Sequence, residues 1–471
     1  METNQNTNLF DRLNHWLKES ITIKLLSIGF LILILLIPSS WIKNLIEERQ
    51  QRAESVINEI SDKWSGSQNI SGPVLVIPYK HQETIYTNKE KEKIEIREST
   101  RRVYFLPDQL HINGNVNPII RHRGIFDAVV YTSEIEIHAE FKMPDFNKLE
   151  INENQVLWNE AKVISAISDL RGITADPVIL AGKQTLHTEP TNNVGIMIKN
   201  FTNEVTEVFA QKDPYAFNYS GNGITSQLNW NSGEDFENNF SINLQLKGSN
   251  RLSFIPTGKT TTVSLKGSWE DPSFEGTFLP EDYTISEKQF SANWKILHYN
   301  RALDQQWTEE NLKLGGNEFG LKLLLPVDQY QKSIRTSKYS HLIILLTFIA
   351  LFLVEIIQKV RIHPFQYILI GAALIIYYSL LLSLSEQIGY NMSYFISGLA
   401  TALLISTYSF TFLRQRKLVW LLASLLMLFY SFIFIIIIQQ DFSLLIGSIG
   451  LFIMVATLMY FSRKVDWYKT T

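Results

Sequence analysis

The chain shows two kinds of pattern: long apolar stretches towards both ends, and a polar middle in which apolar residues recur at short intervals. The first apolar stretch, residues 21–42, has Lys24 as its only charged residue, and a helix of about 20 residues is enough to cross a bilayer. Five further apolar stretches follow in the C-terminal third, separated by short polar breaks. The pattern therefore predicts six transmembrane helices, at residues 21–42, 340–358, 365–384, 393–413, 418–438 and 442–461.

Basic residues in the polar breaks predict how these helices are oriented. If the N-terminus is cytoplasmic, the outer loops of the C-terminal third hold no Lys or Arg, and the inner loops and tail hold Lys359, Arg361, Arg414, Arg416, Lys417, Arg463, Lys464 and Lys469. We therefore expect cytoplasmic segments at residues 1–20 and 463–471, and an outer domain at residues 43–339. A cleaved signal peptide at the first stretch is the alternative, which the lack of an A-x-A-like site after it disfavours.

The outer domain begins with a helical pattern and continues with a strand pattern. Apolar residues at helical spacing run from Ala53 to Trp64, so the first helix is expected to project beyond the membrane. From Pro73 onward the period changes to two, most clearly where Ile135, Ile137 and Ala139 alternate with charged residues. The predicted fold is a polytopic α-helical membrane protein with a large β-rich extracytoplasmic α+β domain, built of antiparallel sheets, between the first two membrane helices. Residues 154–170 are ambiguous between helix and strand.

Composition excludes several classes of function. The chain has 471 residues, 43 Lys and Arg against 46 Asp and Glu, and no cysteine. A net charge of -3 without a long basic run gives no reason to expect a nucleic-acid partner. Because cysteine is absent, disulfides, thiolate metal sites and cysteine nucleophiles are excluded. The outer domain must therefore be stabilised by its own core, in which Trp269 is expected to lie.

Candidate catalytic and cofactor motifs are weak. Gly258, Lys259 and Thr260 resemble the end of a phosphate-binding loop, but Ser253 stands where that motif needs its first glycine. The histidines lack the i, i+4 pairing of a zinc site on a helix, and no G-x-S-x-G arrangement occurs. The sequence therefore predicts no cofactor, no metal and no enzyme activity.

Two carboxylates in the membrane segments are candidate functional residues, because an ionisable group in a bilayer is costly. Glu355 lies near the inner end of the second predicted span, where Tyr367 or the basic loop with Lys359 and Arg361 could satisfy it. Glu386 lies at the outer end of the third span, and we expect it to contact His341 and to couple the outer domain to the helices. Glu386 is therefore predicted to matter more for function than Glu355, although both could be purely structural.

Several blocks of the sequence resemble the CreD family of bacterial inner-membrane proteins. The first comprises Pro38, Ile46, Glu48, Arg49, Ala53 and residues 72–79; the second Ser168, Asp169, Arg171, Gly172, Gly258, Trp269, Trp294 and Arg301; and the third Phe319, Gly320, Tyr330, Glu355, His363, Pro364, Tyr367, Gly371, Ser385 and Glu386. The resemblance implies a multi-pass inner-membrane protein with a periplasmic domain, linked to cell-envelope integrity, colicin tolerance and responses to β-lactams. It implies no known reaction and adds His363 to the candidate residues.

Three hypotheses of function follow. The leading one is a non-enzymatic envelope protein whose outer domain binds a protein, lipid or peptidoglycan partner while membrane lipids surround the helices. The first alternative is a transporter or channel for an envelope lipid or small solute, which the charged and tyrosine-bearing helices favour. The second is an enzyme of the outer leaflet, for which the sequence offers no convergent carboxylates.

Overall fold

The structure is a computed structural model that describes residues 21–86, 94–199, 219–301, 303–308, 312–323, 329–358, 360–413, 415–439 and 442–463. It divides into a helical unit, Met1–Ala53 with Val327–Thr471, and a β-rich unit, Glu54–Pro326. The predicted cytoplasmic segment at residues 1–20, and all but the first residue of the predicted tail, lie outside the described residues. The predicted limits of the outer domain, 43 and 339, refer to the edge of the membrane and stay a prediction.

The helices follow the predicted order, with one addition. Those described are α1 (Ile21–Trp64), α2 (Gln329–Lys338), α3 (Ser340–Gln358), α4 (Pro364–Ile388), α5 (Tyr390–Ser409), α6 (Arg416–Ile438) and α7 (Ser443–Ser462). The predicted extension of the first helix to Trp64 is confirmed, because α1 is one helix of 44 residues. The short helix α2 was not predicted.

Five helices in the described part of the chain are long and apolar enough to cross a membrane: α1, α3, α4, α6 and α7. Helix α5 is not among them, although the sequence predicts a span there. The cause is visible in its composition, since Tyr390, Ser393, Ser397 and Thr401 interrupt its apolar residues.

The β-rich unit contains four sheets among the described residues. Its strands are β1 (Gln68–Ser71), β2 (Val74–Tyr86), β3 (Ile94–Phe105), β4 (Gln109–Arg123), β5 (Phe126–Glu140), β6 (Lys162–Ala166), β7 (Val178–Ala181), β8 (Gln184–His187), β9 (Glu189–Thr191), β10 (Ile196–Lys199), β11 (Tyr219–Ser220), β12 (Gly223–Gln227), β13 (Asn239–Ser249), β14 (Arg251–Ile255), β15 (Thr260–Gly267), β16 (Pro272–Gly276), β17 (Asp282–Ile285), β18 (Phe290–Leu297), β19 (Gln306–Trp307), β20 (Leu312–Leu314) and β21 (Phe319–Leu323). These four sheets share the apolar side chains of this unit.

The largest sheet has eight strands in the order β17-β18-β15-β4-β5-β13-β7-β8, and a second has six, β19-β3-β2-β6-β12-β9. The smaller sheets are β1-β14-β21-β16 and β11-β10-β20. Most pairs are antiparallel, as predicted, but β15 pairs with β4, β1 with β14 and β10 with β20 in parallel. Such pairs join strands that are distant in sequence, and local alternation carries no information about them.

The alternating segments form half-buried strands, as predicted. In β5, Ile135, Ile137 and Ala139 are buried while the residues between them are exposed. The ambiguous stretch at 154–170 contains short 3₁₀ turns and strand β6, so its helical interpretation is wrong. The expectation for Trp269 is also corrected, because it is only partly buried at the margin of the core, whereas Trp294 in β18 is 2% exposed.

A buried polar network encloses the end of α1 in the β-rich unit. The Asp169 carboxylate accepts hydrogen bonds from the Gly66 amide at 3.0 Å and from the Ser65 hydroxyl at 3.2 Å. Arg171 donates to the same carboxylate at 2.7 Å and to the Asp62 carbonyl at 3.0 Å. Gly172 lets these segments approach closely, since a Cβ there would lie 2.4 Å from the Lys247 carbonyl oxygen. The last turn of α1 is therefore fixed to the sheets by charge-assisted hydrogen bonds.

The pH dependence of folding is expected to reflect Asp169. Burial by itself would raise its pKa, but the hydrogen bonds from Arg171 and Gly66 outweigh burial and lower the pKa from 3.8 to about 2. A lowered pKa stabilises the fold above the unfolded value, so this contribution of about 2 kcal/mol is lost as the pH falls from about 4 to about 2. We expect Asp169→Asn to lower the unfolding midpoint at pH 7 and to converge with wild type near pH 2.

Asp127→Asn is the matched control for this measurement. Asp127 pairs with His122 at 2.6 Å, but both side chains are largely exposed, and exposed pairs contribute little. A constant difference between Asp169→Asn and wild type at every pH would contradict the assignment.

Candidate functional site

The first candidate site, the Glu386 cluster, comprises Glu386, Arg49 and Tyr330. Arg49 in α1 binds the carboxylate through both ends of its guanidinium, with Nε donating to Oε1 at 2.8 Å and Nη2 to Oε2 at 2.7 Å. The Tyr330 hydroxyl in α2 donates to Oε1 at 3.0 Å. Burial and the adjacent Glu386 charge raise the pKa of Tyr330 above its ordinary value. The tyrosine therefore keeps its proton and acts as a hydrogen-bond donor.

The predicted contact between Glu386 and His341 does not form. His341 is exposed at the start of α3, and its Nδ1 lies 3.5 Å from the Ser340 hydroxyl. Glu386 takes its cation from α1 instead. The reason is geometric, because α1 continues past the apolar stretch and carries Arg49 to the end of α4.

The second candidate site, the Glu355 cluster, comprises Glu355, Lys24 and Tyr367. The Glu355 side chain is 3% exposed and forms an ion pair with Lys24 of α1. Tyr367, at the start of α4, donates to Oε2 at 3.1 Å, and the Ile362 amide donates to Oε1 at 2.6 Å. The predicted contact with Tyr367 is therefore confirmed. The cation that the structure shows beside Glu355 is Lys24, which was not predicted, while Lys359 lies outside the described residues and its pairing stays a prediction.

His363 has a local structural role. Its Nδ1 accepts a hydrogen bond from the Phe365 amide at 3.2 Å, and its own amide donates to the Gln366 side chain at 2.9 Å. Pro364 occupies the first position of the helix, where its missing amide costs nothing. This reciprocal pair caps the N-terminus of α4, so the residue is explained without a ligand.

The two clusters have the same composition, since each contains a carboxylate, a tyrosine hydroxyl and a basic side chain from α1. Lys24 and Arg49 are 25 positions apart, which corresponds to about 37 Å along a helix, close to the thickness of a bilayer with its headgroups. Between them the Ser39 and Ser340 hydroxyls lie 2.8 Å apart. A Cβ at Gly371 would lie 2.2 Å from Leu35. Helix α1 is therefore packed closely on α4 and bonded at three levels.

This arrangement favours holding helices together over catalysis. Each carboxylate already has a cation and two or more hydrogen bonds, so neither is a free base. Nor do the described residues contain a group of three His, Cys, Asp or Glu side chains placed to hold a metal ion. The ion pairs of the two clusters fix the position of α1. Protonation of a carboxylate would break its ion pair and release α1 at that level.

Sequence reasoning identified the two carboxylates but missed Lys24, Arg49 and Tyr330 as their partners. Lys24 stands within the first apolar stretch and Arg49 in the helical extension after it, and nothing in their local sequence links either residue to a carboxylate more than 300 positions away. A usable signal was present, since carboxylates in two apolar segments favour two cations and α1 carries basic residues near both ends of its apolar stretch.

Comparison with known proteins gives a consistent result over nearly the whole chain. The family model described as "Inner membrane protein CreD" matches residues 20–468. The inner membrane protein CreD of Escherichia coli (strain K12) is 29% identical over 457 residues, which cover 96% of this chain and 95% of that protein.

Proposed function

The chain belongs to the CreD family of inner membrane proteins, and on that premise we propose that it supports cell-envelope integrity by binding an envelope component through its β-rich unit, without catalysing a reaction. The observation that carries the proposal lies within this unit, where the edge strand β17 is exposed throughout. The unit, Glu54–Pro326, includes the end of α1, a helix that is continuous over 44 residues. The Asp169 network fixes the last turn of that helix to the sheets.

The orientation in this proposal follows the distribution of basic residues. Both termini are cytoplasmic, and the β-rich unit lies in the periplasm. Helix α5 is the sixth span, because its exposed side chains Met392, Phe395, Ile396, Leu403 and Leu404 form an apolar face suited to lipid. The low hydropathy of this helix comes from its buried face.

The partner in this proposal is an envelope protein, a lipid or peptidoglycan. Strand β17 is the edge of the eight-stranded sheet and is exposed throughout. Its Tyr283 and Ile285, with Leu279 before it, are 60%, 46% and 70% exposed. An edge strand with exposed apolar side chains is a surface that can bind another chain.

Photo-crosslinking in intact cells tests the proposal. We expect a photoreactive residue in place of Tyr283 to capture a defined envelope component, and the same residue in place of Tyr460, on the exposed face of α7, to capture lipid only. In spheroplasts, external protease should cut a tag inserted near Asn222 and spare tags at both termini. Identical capture at the two positions, or cleavage of the terminal tags, would contradict the proposal.

The second candidate function is transport through the helical unit. It is favoured by the buried hydroxyl groups of α4, α5 and α6 and by the carboxylate of Glu386 near one end of these helices. Flux measurements on the purified protein in vesicles separate it from the binding function.

A further inference from the structure

Helix α5 is amphipathic in the inverse sense to a helix of a water-soluble protein. Its buried face is mostly polar or small and consists of Tyr390, Ser393, Tyr394, Ser397, Gly398, Thr401, Ala402, Ile405, Ser406 and Ser409. Its exposed face is apolar. Small residues such as these let membrane helices pack closely, and a hydroxyl buried among them still needs a hydrogen-bond partner.

Two of these inward hydroxyls have no hydrogen-bond partner among the residues that the structure describes. Ser393 and Ser409 donate to carbonyls of their own helix, at 2.7 Å in each case, as serines in membrane helices commonly do. The Ser397 and Ser406 hydroxyls make no such bond, although they are 0% and 8% exposed. Buried polar groups of this kind are normally satisfied by ordered water.

Tyrosines from the neighbouring helices extend this polar interior. Tyr378 of α4 and Tyr430 of α6 are 2% and 3% exposed, and neither hydroxyl has a partner within the described part of the chain. Tyr430 packs against Gly398, where a Cβ would lie 3.7 Å from its Cγ, and its carbonyl accepts the Tyr394 hydroxyl at 2.8 Å. The unpaired hydroxyls therefore come from three helices that meet at the polar face of α5.

The polar face has the length of a membrane crossing. The 20 residues of α5 rise about 30 Å, which is the thickness of the hydrocarbon core. At its first residue the Tyr390 hydroxyl bonds the Thr336 hydroxyl of α2, and α2 also carries Tyr330 of the Glu386 cluster. A titratable carboxylate thus lies near one end of the row of hydroxyls.

We propose that the buried face of α5, with Tyr378 and Tyr430, lines a hydrated path through the helical unit and that this path conducts protons. The proposal rests on the second candidate function, transport, and names its substrate. Hydroxyls both donate and accept hydrogen bonds, so they can order a chain of water. Each water oxygen in that chain accepts one proton and releases another. One O–H bond forms and one breaks at each oxygen, and the protein itself is left unchanged. Tyrosine is the only ionisable side chain on this face. The face therefore offers no carboxylate to replace the hydration shell of a metal cation.

Cysteine accessibility tests whether the path contains water, and the chain is naturally free of cysteine. Ser397→Cys, Thr401→Cys and Ser406→Cys place a thiol on the buried face, whereas Ile396→Cys, Leu399→Cys and Leu404→Cys place one on the apolar face of the same helix. A small water-soluble methanethiosulfonate reacts with thiolate, which forms only where water reaches. We expect the first set to react at least about tenfold faster than the second. A thiol that faces lipid has a raised pKa, and each pKa unit lowers its thiolate fraction about tenfold. Equal rates would overturn the proposal.

Proton flux tests the substrate. The full-length protein is reconstituted in vesicles that enclose a pH-sensitive dye, and a potassium diffusion potential is applied with valinomycin. We expect acidification faster than in protein-free vesicles, and a loss of most of this excess in Tyr378→Phe and Tyr430→Phe, which keep the ring and remove the hydroxyl. Tyr460→Phe, an exposed residue of α7, should conduct as wild type.

No flux above protein-free vesicles would overturn the proposal even if the buried-face cysteines react. Flux that all the tyrosine variants retain would overturn the assigned path. Neither result depends on whether the β-rich unit captures an envelope partner, so this proposal and the binding function can fail separately.

Discussion

Lys24→Met is expected to destabilise the helical unit by about 3 to 5 kcal/mol, because it leaves the Glu355 carboxylate buried without its cation. Glu355 is 3% exposed, and its remaining donors are the Tyr367 hydroxyl and the Ile362 amide. These two bonds satisfy the oxygens but cannot neutralise the charge. The measurement is the unfolding midpoint of the purified full-length protein in detergent.

A second ion pair on the same helix gives the matched control for Lys24. Lys43 and Glu47 lie 3.4 Å apart with side chains 48% and 42% exposed, so Lys43→Met should change stability by less than about 1 kcal/mol. Glu355→Gln should rescue much of the loss in the Lys24→Met background. The buried pair does not hold α1 if Lys24→Met and Lys43→Met have the same unfolding midpoint. The same conclusion follows if the double variant has the unfolding midpoint of Lys24→Met alone.

Trp294→Ala should reduce the stability of the β-rich unit by about 3 to 5 kcal/mol, the usual loss for a buried large aromatic residue. The ring is 2% exposed and lies 5.7 Å from the Phe274 ring and 5.8 Å from the Phe319 ring, between centroids. Its Nε1 donates to the Phe278 carbonyl at 3.2 Å. The variant therefore opens a cavity and also leaves a carbonyl without its donor, and urea unfolding of the full chain measures the loss.

Trp269→Ala is the comparison variant, since Trp269 packs at the margin of the same core and is only partly buried. We expect it to lose clearly less stability than Trp294→Ala. The reverse order would mean that Trp269 anchors a part of the fold that the core residues do not explain.

The sequence predicts local structure well here because two solvents impose different patterns. Period two in β5 and β13 follows from one face meeting the core and the other meeting water. The apolar stretches follow from the lipid. The parallel pairing of β15 with β4 joins Thr260 to Gln109, and no local pattern in either strand specifies a partner so far along the chain.

The candidate site was predictable only in part, for a similar reason. A carboxylate in an apolar stretch stands out by its cost, and both were found in that way. Their cations do not stand out, because Lys24 and Arg49 flank a span in the manner of many membrane helices. The pairing itself depends on how α1 packs against α3 and α4. The greater importance of Glu386 over Glu355 for function stays a prediction.

The pairing of α1 with late segments of the chain also bears on the order of biosynthesis. Lys24 and Glu355 are 331 residues apart, and Arg49 and Glu386 are 337 apart. At about 5 to 20 residues per second, a ribosome needs roughly 15 to 65 seconds to reach the carboxylate after it has made the cation. During that interval the whole β-rich unit is synthesised, and the carboxylates that pair with Lys24 and Arg49 do not yet exist. The first helix would therefore enter the bilayer before its ion-pair partners are made. Its position would be fixed only when α3 and α4 are inserted, so that insertion of these helices is the last step in assembling the helical unit.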